Sequence, residues 1–358
     1  MQRGHVGQRH CPRGGSGPTW AVELRRERQS VASRNTERRV RRPRRRGNRD
    51  EGIADTKVQC PRPTRGATSP ASGAAPAWRI EMLPTPITTP PVGRALITGA
   101  SGGMGAVYAD RLARRGFDLI LVARNSARLE AVAARVADAT GRQVETLTSD
   151  LRRADHVDDI EDRLRTDERI AMLVNNAGVG SATPLLQADI GTMRGMIALN
   201  VEALTRLTYA AAPGFVARGG GTIINMASIA AIGPEILNGV YAGTKAFVVA
   251  LTQSLHHELA SRGVRVQAVL PGAVATDFWD VSGAPLASLP AGIVMSTEDA
   301  VDAALAGFDQ GELITLPSLP DPADWQAYED ARRALFPNLS RSEPAARFGV
   351  GRAPAAAT

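Results

Sequence analysis

Residues 98–105 read TGASGGMG, and they lie between a short apolar run, RALIT (94–98), and a segment of helical period that starts at Met104. In a turn that follows a strand and opens a helix, glycines let the backbone approach a phosphate because they have no Cβ. The N–H groups at the start of the helix and the positive end of its dipole favour an anion there. The stretch therefore predicts a nucleotide-phosphate site, although its spacing is GxxxGxG rather than GxGxxG. A glycine turn that only connects a strand to a helix is the alternative.

The same alternation of strand and helix continues along the chain. Apolar runs of strand length, mostly hydrophobic throughout as in parallel strands buried on both faces, alternate with segments of helical period. Right-handed crossovers through those helices predict an α/β fold, a single Rossmann-type doubly wound parallel sheet of about seven strands flanked by helices. The predicted strands are 94–98, 118–124, 143–151, 170–178, 221–228, 264–272 and 312–317.

Charge and composition divide the chain into three predicted regions. Residues 1–90 hold 19 Lys and Arg against 7 Asp and Glu, which leaves 24 basic and 29 acidic side chains in the remainder, so the net charge of +7 comes from the N-terminal quarter. That quarter has almost no apolar periodicity and cannot offset the entropy of ordering itself. We predict a basic, disordered leader over 1–90, the Rossmann domain with the catalytic site over 91–316, and a C-terminal extension with a short helix and tail over 317–358.

The leader leaves three interpretations open. It is an inert or mis-assigned leader with Met82 as the alternative start, a basic interaction tail, or a transit-type peptide; it lacks the apolar stretch of a secretory signal. Trp20 stands alone among the arginines, which disfavours nucleic-acid binding by base stacking. Both cysteines, Cys11 and Cys60, lie in the leader, and no run of 18 apolar residues exists. The body is therefore predicted to be cytoplasmic, without a disulfide framework or a membrane span.

Residues 241–247 read YAGTKAF, which places Tyr241 and Lys245 one turn apart on a helix face. This spacing is common by chance, and an amphipathic helix with an exposed lysine is the alternative. Its context makes it informative: Ser228 precedes Tyr241 by thirteen residues, at the end of a predicted strand.

Four motifs together resemble the short-chain dehydrogenase/reductase family. They are TGxxxGxG at the first turn, NNAG (175–178) after the fourth strand, YxxxK opening a later helix, and PG (271–272) after the sixth strand, in matching order across residues 93 to about 280. The resemblance implies an NAD(P)-binding oxidoreductase that transfers a hydride between nicotinamide and a carbonyl or alcohol. It also implies a homodimer or homotetramer assembled through the central helices.

The resemblance assigns four catalytic residues, Asn200, Ser228, Tyr241 and Lys245. Tyr241 is the general acid or base; because a free tyrosine has a pKa near 10, the Lys245 ammonium and an oxidised nicotinamide are expected to lower that pKa. Ser228 is expected to bind the substrate oxygen. The resemblance also implies that Lys245 holds the nicotinamide ribose and that Asn200 supports a water. A strand-end cap is the alternative for Ser228, and a locally bonded helix residue is the alternative for Asn200.

Cofactor choice depends on the end of the second strand. NAD enzymes usually place an acid there, whereas this chain has Ala123 followed by Arg124, and an arginine pairs well with a 2′-phosphate. We predict NADP (NADPH) as the preferred cofactor, with NAD as the alternative; a solvated arginine is the structural alternative for Arg124. The predicted cofactor-binding residues are Gly99, Ser101, Gly103, Met104, Gly105, Arg124, Asp150, Leu151, Asn176, Ala177, Gly178, Tyr241, Lys245, Pro271 and Gly272.

The expected substrate segment, residues 279–296, is rich in small and apolar side chains and includes Trp279 and Met295. It contains no Lys or Arg for an anionic substrate, so we predict a moderately apolar carbonyl or alcohol; an ordinary mobile lid is the alternative. The adjacent His256 and His257 indicate a surface or interface rather than a metal ligand, and we predict no metal site. The competing functions are a non-catalytic nucleotide-sensing or scaffold protein, and epimerase or dehydratase chemistry on the same fold.

Overall fold

The structure, a computed structural model, describes residues 93–350. The leader predicted over 1–90 and the last residues of the C-terminal tail lie outside this range. Within it, seven parallel strands form one sheet: β1 Arg94–Thr98, β2 Asp118–Ala123, β3 Val144–Thr148, β4 Ile170–Asn175, β5 Gly221–Met226, β6 Val264–Val269 and β9 Ile314–Thr315. Their order in the sheet is β3-β2-β1-β4-β5-β6-β9, which confirms the predicted doubly wound fold.

Helices cover both faces of the sheet. Strand residues alternate between the faces, as the two-residue period of a strand requires: Ala95 and Ile97 of β1 join one buried cluster, and Leu96 joins the other. The first cluster is completed by α1, α2 and α8, and the second by α3, α5 and α6. The helices are α1 Gly103–Arg114, α2 Ser126–Thr140, α3 Ala154–Thr166, α4 Ile190–Ile197, α5 Leu204–Ala217, α6 Gly239–Leu259, α7 Phe278–Ser282, α8 Thr297–Asp309 and α9 Pro322–Arg333.

The order of the strands fixes where a ligand can bind. All carboxyl ends of the parallel strands lie at one edge of the sheet, and the chain direction across the sheet reverses between β1 and β4. In open α/β sheets the ligand crevice lies outside the carboxyl ends at such a switch point. The glycine turn after β1 and the NNAG segment after β4 therefore meet at this edge.

A second, two-stranded sheet braces the segment predicted as the substrate loop. β7 Ala273–Val274 pairs in parallel with β8 Val294–Met295, and α7 lies between them. Trp279 is buried, and its Nε1 donates to the Val274 carbonyl at 2.8 Å. This part of the chain is thus a short helix and turns anchored by an inward-facing tryptophan, which the apolar composition alone did not reveal.

The predicted C-terminal helix is present as α9 and contacts the body of the domain. Glu329 is buried and accepts from Gln253 Nε2 of α6 at 3.0 Å, and Trp325 packs against the cluster that contains Val248 and Leu270. None of the helices in residues 93–350 has the length and apolar character that a membrane crossing requires.

Candidate active site

The glycine turn is shaped by contacts that leave no room for side chains. Gly99 and Gly103 have φ of +68° and +52°, in the left-handed region that favours glycine. A Cβ on Gly105 would lie 2.3 Å from the Gly99 carbonyl oxygen, so α1 can start this close to the turn only with glycine at that position. The first backbone N–H groups of α1 have no partner within the helix, as at an anion site.

Asn176 locks the turn from behind. Its Nδ2 donates to the carbonyls of Thr98 and Gly99 at 2.9 and 3.2 Å. The Thr98 hydroxyl in turn accepts from the backbone N–H groups of Asn176 and Ala177, both at 3.0 Å. The Asn176 side chain, predicted to line the cofactor, thus connects the end of β4 to the end of β1 and supports the glycine turn.

A cleft of about 470 Å³ opens at the carboxyl ends of β1 to β4. It brings together seven predicted cofactor residues, Gly99, Ser101, Arg124, Asp150, Leu151, Ala177 and Gly178. It is also lined by residues that were not predicted as contacts, namely Val122, Ala123, Asn125, Arg128, Ser149, Val179 and Leu199. The other predicted cofactor residues lie outside its lining: Gly103, Met104, Gly105, Asn176, Tyr241, Lys245, Pro271 and Gly272.

Charged groups surround the part of the cleft formed after β2 and β3. Hydrogen bonds from Arg152 lower the pKa of the Asp150 carboxyl to about 2, and the charge of Arg124 contributes in the same direction. Arg128, in the first turn of α2, pairs with Asp277 at 2.7 Å across the space in front of the glycine turn. A Cβ on Gly102 would lie 2.5 Å from the Arg128 guanidinium, so this arginine covers the turn. Arg128 was not predicted to line the cleft; the only indication in the sequence was its place in the first turn of a helix, close to Arg124.

Tyr241 and Lys245 lie in the first turns of α6 with their side chains buried. Lys245 Nζ is 5.8 Å from the centre of the Tyr241 ring and donates to the Met226 carbonyl at 2.7 Å. Ser228 follows β5 and lies close enough to Tyr241 to oppose the rise of the pKa of that tyrosine, while its Oγ accepts from the Ala230 N–H at 3.2 Å. The structure therefore brings these three predicted catalytic residues together.

Asn200 joins this group through a π-helical turn, Ala198–Ala203, between α4 and α5. Such turns are frequent at functional sites because they redirect a side chain out of the regular helix. The Asn200 amide is buried and makes paired hydrogen bonds with the backbone of Val179, at 3.0 and 2.8 Å. It also donates to Thr244 Oγ1 at 3.1 Å. A Cβ on Gly178 would lie 3.4 Å from both Asn200 Oδ1 and Lys245 Nζ, so these two polar groups flank the NNAG segment.

Burial sets the protonation of the pair in the protein alone. It raises the pKa of Tyr241 to about 12, against a smaller opposing effect of the Ser228 hydrogen bond. Burial also lowers the pKa of Lys245 to about 8. The expectation that the ammonium lowers the pKa of Tyr241 is therefore not met without cofactor. Desolvation of the phenolate outweighs its attraction to the Lys245 ammonium, which burial also disfavours. At neutral pH Tyr241 keeps its proton.

The scarcity of lysine in this chain also distinguishes Lys245, independently of the motif spacing. The chain contains two lysines, Lys57 and Lys245, and every other basic side chain among its 43 Lys and Arg is arginine. A guanidinium is planar, wider and always charged, whereas an ammonium is a compact donor whose pKa responds to burial. Lys245 is therefore the single lysine of residues 93–350 and differs from the surrounding basic side chains in offering an ammonium.

Apolar side chains pack against Tyr241. Phe278 of α7 lies with its ring centre 5.7 Å from that of Tyr241, and Met193 and Met196 of α4 pack in the same cluster. A Cβ on Gly180 would lie 2.2 Å from the Phe278 ring, so only glycine lets that ring take this position. Trp279, one residue on, meets Phe278 edge-on at 5.4 Å and holds it from behind.

The PG motif adjoins the serine rather than the large cleft. The Pro271 carbonyl accepts from the Ile229 N–H at 3.1 Å, and the Ile229 side chain lies 3.8 Å from where a Cβ on Gly272 would be. Both residues therefore support the backbone that presents Ser228. Within residues 93–350 no group of three or more His, Cys, Asp or Glu side chains is arranged to hold a metal ion.

Comparisons with known proteins agree with this geometry. A family profile described as short chain dehydrogenase matches residues 94–285. A short-chain dehydrogenase from Sphingobium yanoikuyae, solved in complex with NADPH, is 45% identical, with a TM-score of 0.69 over 72% of this chain and 100% of that chain. A bulky-bulky ketone specific alcohol dehydrogenase from Comamonas testosteroni is 38% identical, with a TM-score of 0.66 over 72% of this chain and 98% of that chain.

Curated relatives match over a shorter length. The very-long-chain 3-oxoacyl-CoA reductase of Rattus norvegicus is 35% identical over 189 residues, which is 51% of this chain and 59% of that protein. This chain therefore spans about three fifths of the length of the curated relatives that it matches.

Proposed function

Because this chain belongs to the short-chain dehydrogenase/reductase family, we propose that it is an NADP(H)-dependent oxidoreductase that interconverts a carbonyl compound and the corresponding alcohol. The observation that carries the proposal is the meeting of Ser228, Tyr241 and Lys245 at the carboxyl edge of the sheet, beside the glycine-turn cleft. A hydroxyl donor, a second hydroxyl and a buried ammonium in one place are the groups that carbonyl reduction requires.

The residues of the cleft fit a dinucleotide that carries a 2′-phosphate. The bare glycine turn leaves space for the diphosphate, and a Cβ at Gly99 or Gly105 would collide with the backbone that forms it. Arg124 and Arg128 line the same cleft, and guanidinium groups bind phosphate with paired hydrogen bonds. The relative from Sphingobium yanoikuyae was solved with NADPH, which supports the same choice for this chain. When bound, the cofactor supplies the hydride.

The protein side chains supply the proton and hold the substrate. Tyr241 donates its proton to the carbonyl oxygen, and Ser228 donates a hydrogen bond to the same oxygen as negative charge develops. Lys245 keeps one N–H on the Met226 carbonyl and has two further donors for a ribose hydroxyl. Asn200 orders the backbone at Val179 and adjoins Lys245. Since the pKa of Tyr241 is about 12 in the protein alone, its neutral-pH form is the acid that reduction uses.

The surroundings of Tyr241 support an apolar substrate. Phe278, Met193 and Met196 offer no charged partner, and an apolar ketone would contact them at little desolvation cost. The relative named for bulky-bulky ketones is consistent with this class. We therefore propose a ketone with substantial apolar substituents rather than a charged one.

A homo-oligomer remains part of the proposal. Large apolar side chains stand exposed before and within α4 and on α5, among them Leu186 at 98%, Ile190 at 73% and Tyr209 at 66% exposure. Exposed apolar clusters of this kind support an interface. The cytoplasmic location stays a prediction from cysteine usage.

The test is NADPH oxidation with a panel of apolar and charged ketones and aldehydes, with NADH run alongside. Tyr241→Phe is expected to abolish turnover and to leave NADPH binding nearly intact, whereas Tyr209→Phe, at an exposed tyrosine, keeps turnover. Unchanged turnover in Tyr241→Phe would overturn the assignment of the acid. NADPH binding without oxidation by any carbonyl would instead favour the nucleotide-sensing alternative.

A further inference from the structure

The loop after β3 forms one wall of the cleft, yet its position is set by a residue that does not line that cleft. Ser149, Asp150 and Leu151 contribute to the lining and follow the last residue of β3 directly. The Ser149 N–H remains on the sheet, donating to the Ala123 carbonyl at 2.9 Å, while Leu151 is buried in the core. The backbone between these two fixed points belongs to Asp150.

His156 holds that backbone from the first turn of α3. The Asp150 N–H donates to His156 Nδ1 at 2.9 Å, and the Ser149 hydroxyl donates to the His156 carbonyl at 3.3 Å. His156 is the third helical residue after the N-cap Arg153. In a capping box the side chain at this position accepts from the N-cap N–H. Here it reaches three residues further back, so one residue grips both Ser149 and Asp150.

This contact dictates the form of the imidazole. Because Nδ1 accepts, its lone pair is free of a proton, and the ring carries its proton on Nε2. The ring faces a second, smaller cleft of about 260 Å³ behind the loop, which Asp159 and Arg163 also line. The Asp150 carboxylate is already engaged by Arg152, so it does not compete for the histidine.

We propose that His156 is a positioning residue for the adenosine half of the cofactor, acting through the backbone of Ser149 and Asp150. This rests on the proposed function, since it concerns the same cleft. His156 touches neither the glycine turn nor the catalytic side chains. Its removal therefore loosens the wall at one end of the cleft and leaves the nicotinamide end in place.

Two substitutions separate the acceptor from the bulk of the ring. His156→Asn places an amide oxygen close to the position of Nδ1, whereas His156→Leu keeps the volume and removes the acceptor. Calorimetry would be run with NADPH, with 2′-phospho-ADP-ribose as the adenosine half, and with reduced nicotinamide mononucleotide as the other half. His156→Leu is expected to raise the Kd for NADPH and for 2′-phospho-ADP-ribose about tenfold, and His156→Asn to restore both to within about threefold of the parent protein.

Kinetics provide a second readout, in which the loss in His156→Leu falls on KM for NADPH rather than on kcat. An unchanged Kd for 2′-phospho-ADP-ribose in His156→Leu would overturn the proposal. An equal loss for the mononucleotide would overturn it too, because it would show damage spread over the whole cleft. Failure of the parent protein to bind NADPH would be a different result, since it would refute the proposed function itself.

Discussion

Replacing Gly105 by alanine tests the role of the glycine turn most directly. The added Cβ would lie 2.3 Å from the Gly99 carbonyl oxygen and 2.6 Å from Asn176 Nδ2. Neither neighbour is the free end of a flexible side chain, since one is backbone and the other is held by two hydrogen bonds. Relief therefore requires α1 to move away from the turn by about 1 Å, to reach an ordinary contact distance.

The size of the effect follows from overpacking. Forcing a methyl group into a filled site costs about 1–3 kcal/mol of the free energy of unfolding. For a domain of this size, a cost of about 2 kcal/mol lowers the Tm by about 4–8 °C. The same displacement moves the N–H groups that we propose to face the diphosphate, so we expect the Kd for NADPH to rise at least about tenfold. Thermal unfolding and calorimetric titration measure the two effects.

Gly243→Ala is the matched control. Gly243 lies in the same type of structure, inside α6, but it is exposed and a Cβ there meets nothing within 4 Å. Alanine is the better helix former by about 0.5–1 kcal/mol, so this variant should be slightly more stable than the parent protein. If Gly105→Ala kept the parent Tm and Kd, the close contact between α1 and Gly99 would not constrain the turn.

Two further predictions concern charge. Arg124→Ala should lower kcat/KM for NADPH about 10- to 100-fold, because it removes a charge-assisted hydrogen bond to the 2′-phosphate. The kcat/KM for NADH should change less than about threefold. Equal losses with both cofactors in steady-state kinetics would contradict the proposed role of Arg124. Since the chain has only two lysines, NMR of protein with isotope-labelled lysine can follow Lys245 directly, and one of the two signals should titrate with a pKa of about 8. This pKa lies below the ordinary lysine value of 10.5, so between about pH 8 and 10 the unfolded chain binds more protons than the folded protein. The free energy of unfolding should therefore rise with pH over that interval, and Lys245→Met should abolish the rise in urea titrations.

Local geometry explains which parts of the molecule were predictable. Strand and helix periods depend on residues that are near neighbours in the chain, and so does the glycine turn. These patterns were sufficient to predict the fold and the position of the cleft. Tyr241 and Lys245 share a helix face because they are four residues apart. Most of the candidate catalytic site could be predicted from such spacings.

Contacts between distant segments explain the rest. The side chain of Asn176, which stays a predicted cofactor residue, donates to the carbonyls of Thr98 and Gly99, 78 and 77 residues earlier in the chain. Phe278 reaches Tyr241 only because Gly180 leaves space for its ring. His156 acts on residues six and seven positions before it, outside the offset of the common capping pattern. No periodicity in the sequence encodes these pairings.

The pKa values of the buried pair connect the fold to the chemistry. Burial raises the pKa of Tyr241 to about 12 and lowers that of Lys245 to about 8, so at neutral pH Tyr241 keeps its proton and Lys245 is still mostly an ammonium. In the proposed reduction, a protonated Tyr241 is already the acid that is needed. In the proposed alcohol oxidation Tyr241 would act as a base, so its pKa would have to fall by several units, which Lys245 does not achieve in the protein alone. A positive charge on a bound oxidised cofactor would stabilise the phenolate further, so we expect Tyr241 to become a base only in that complex.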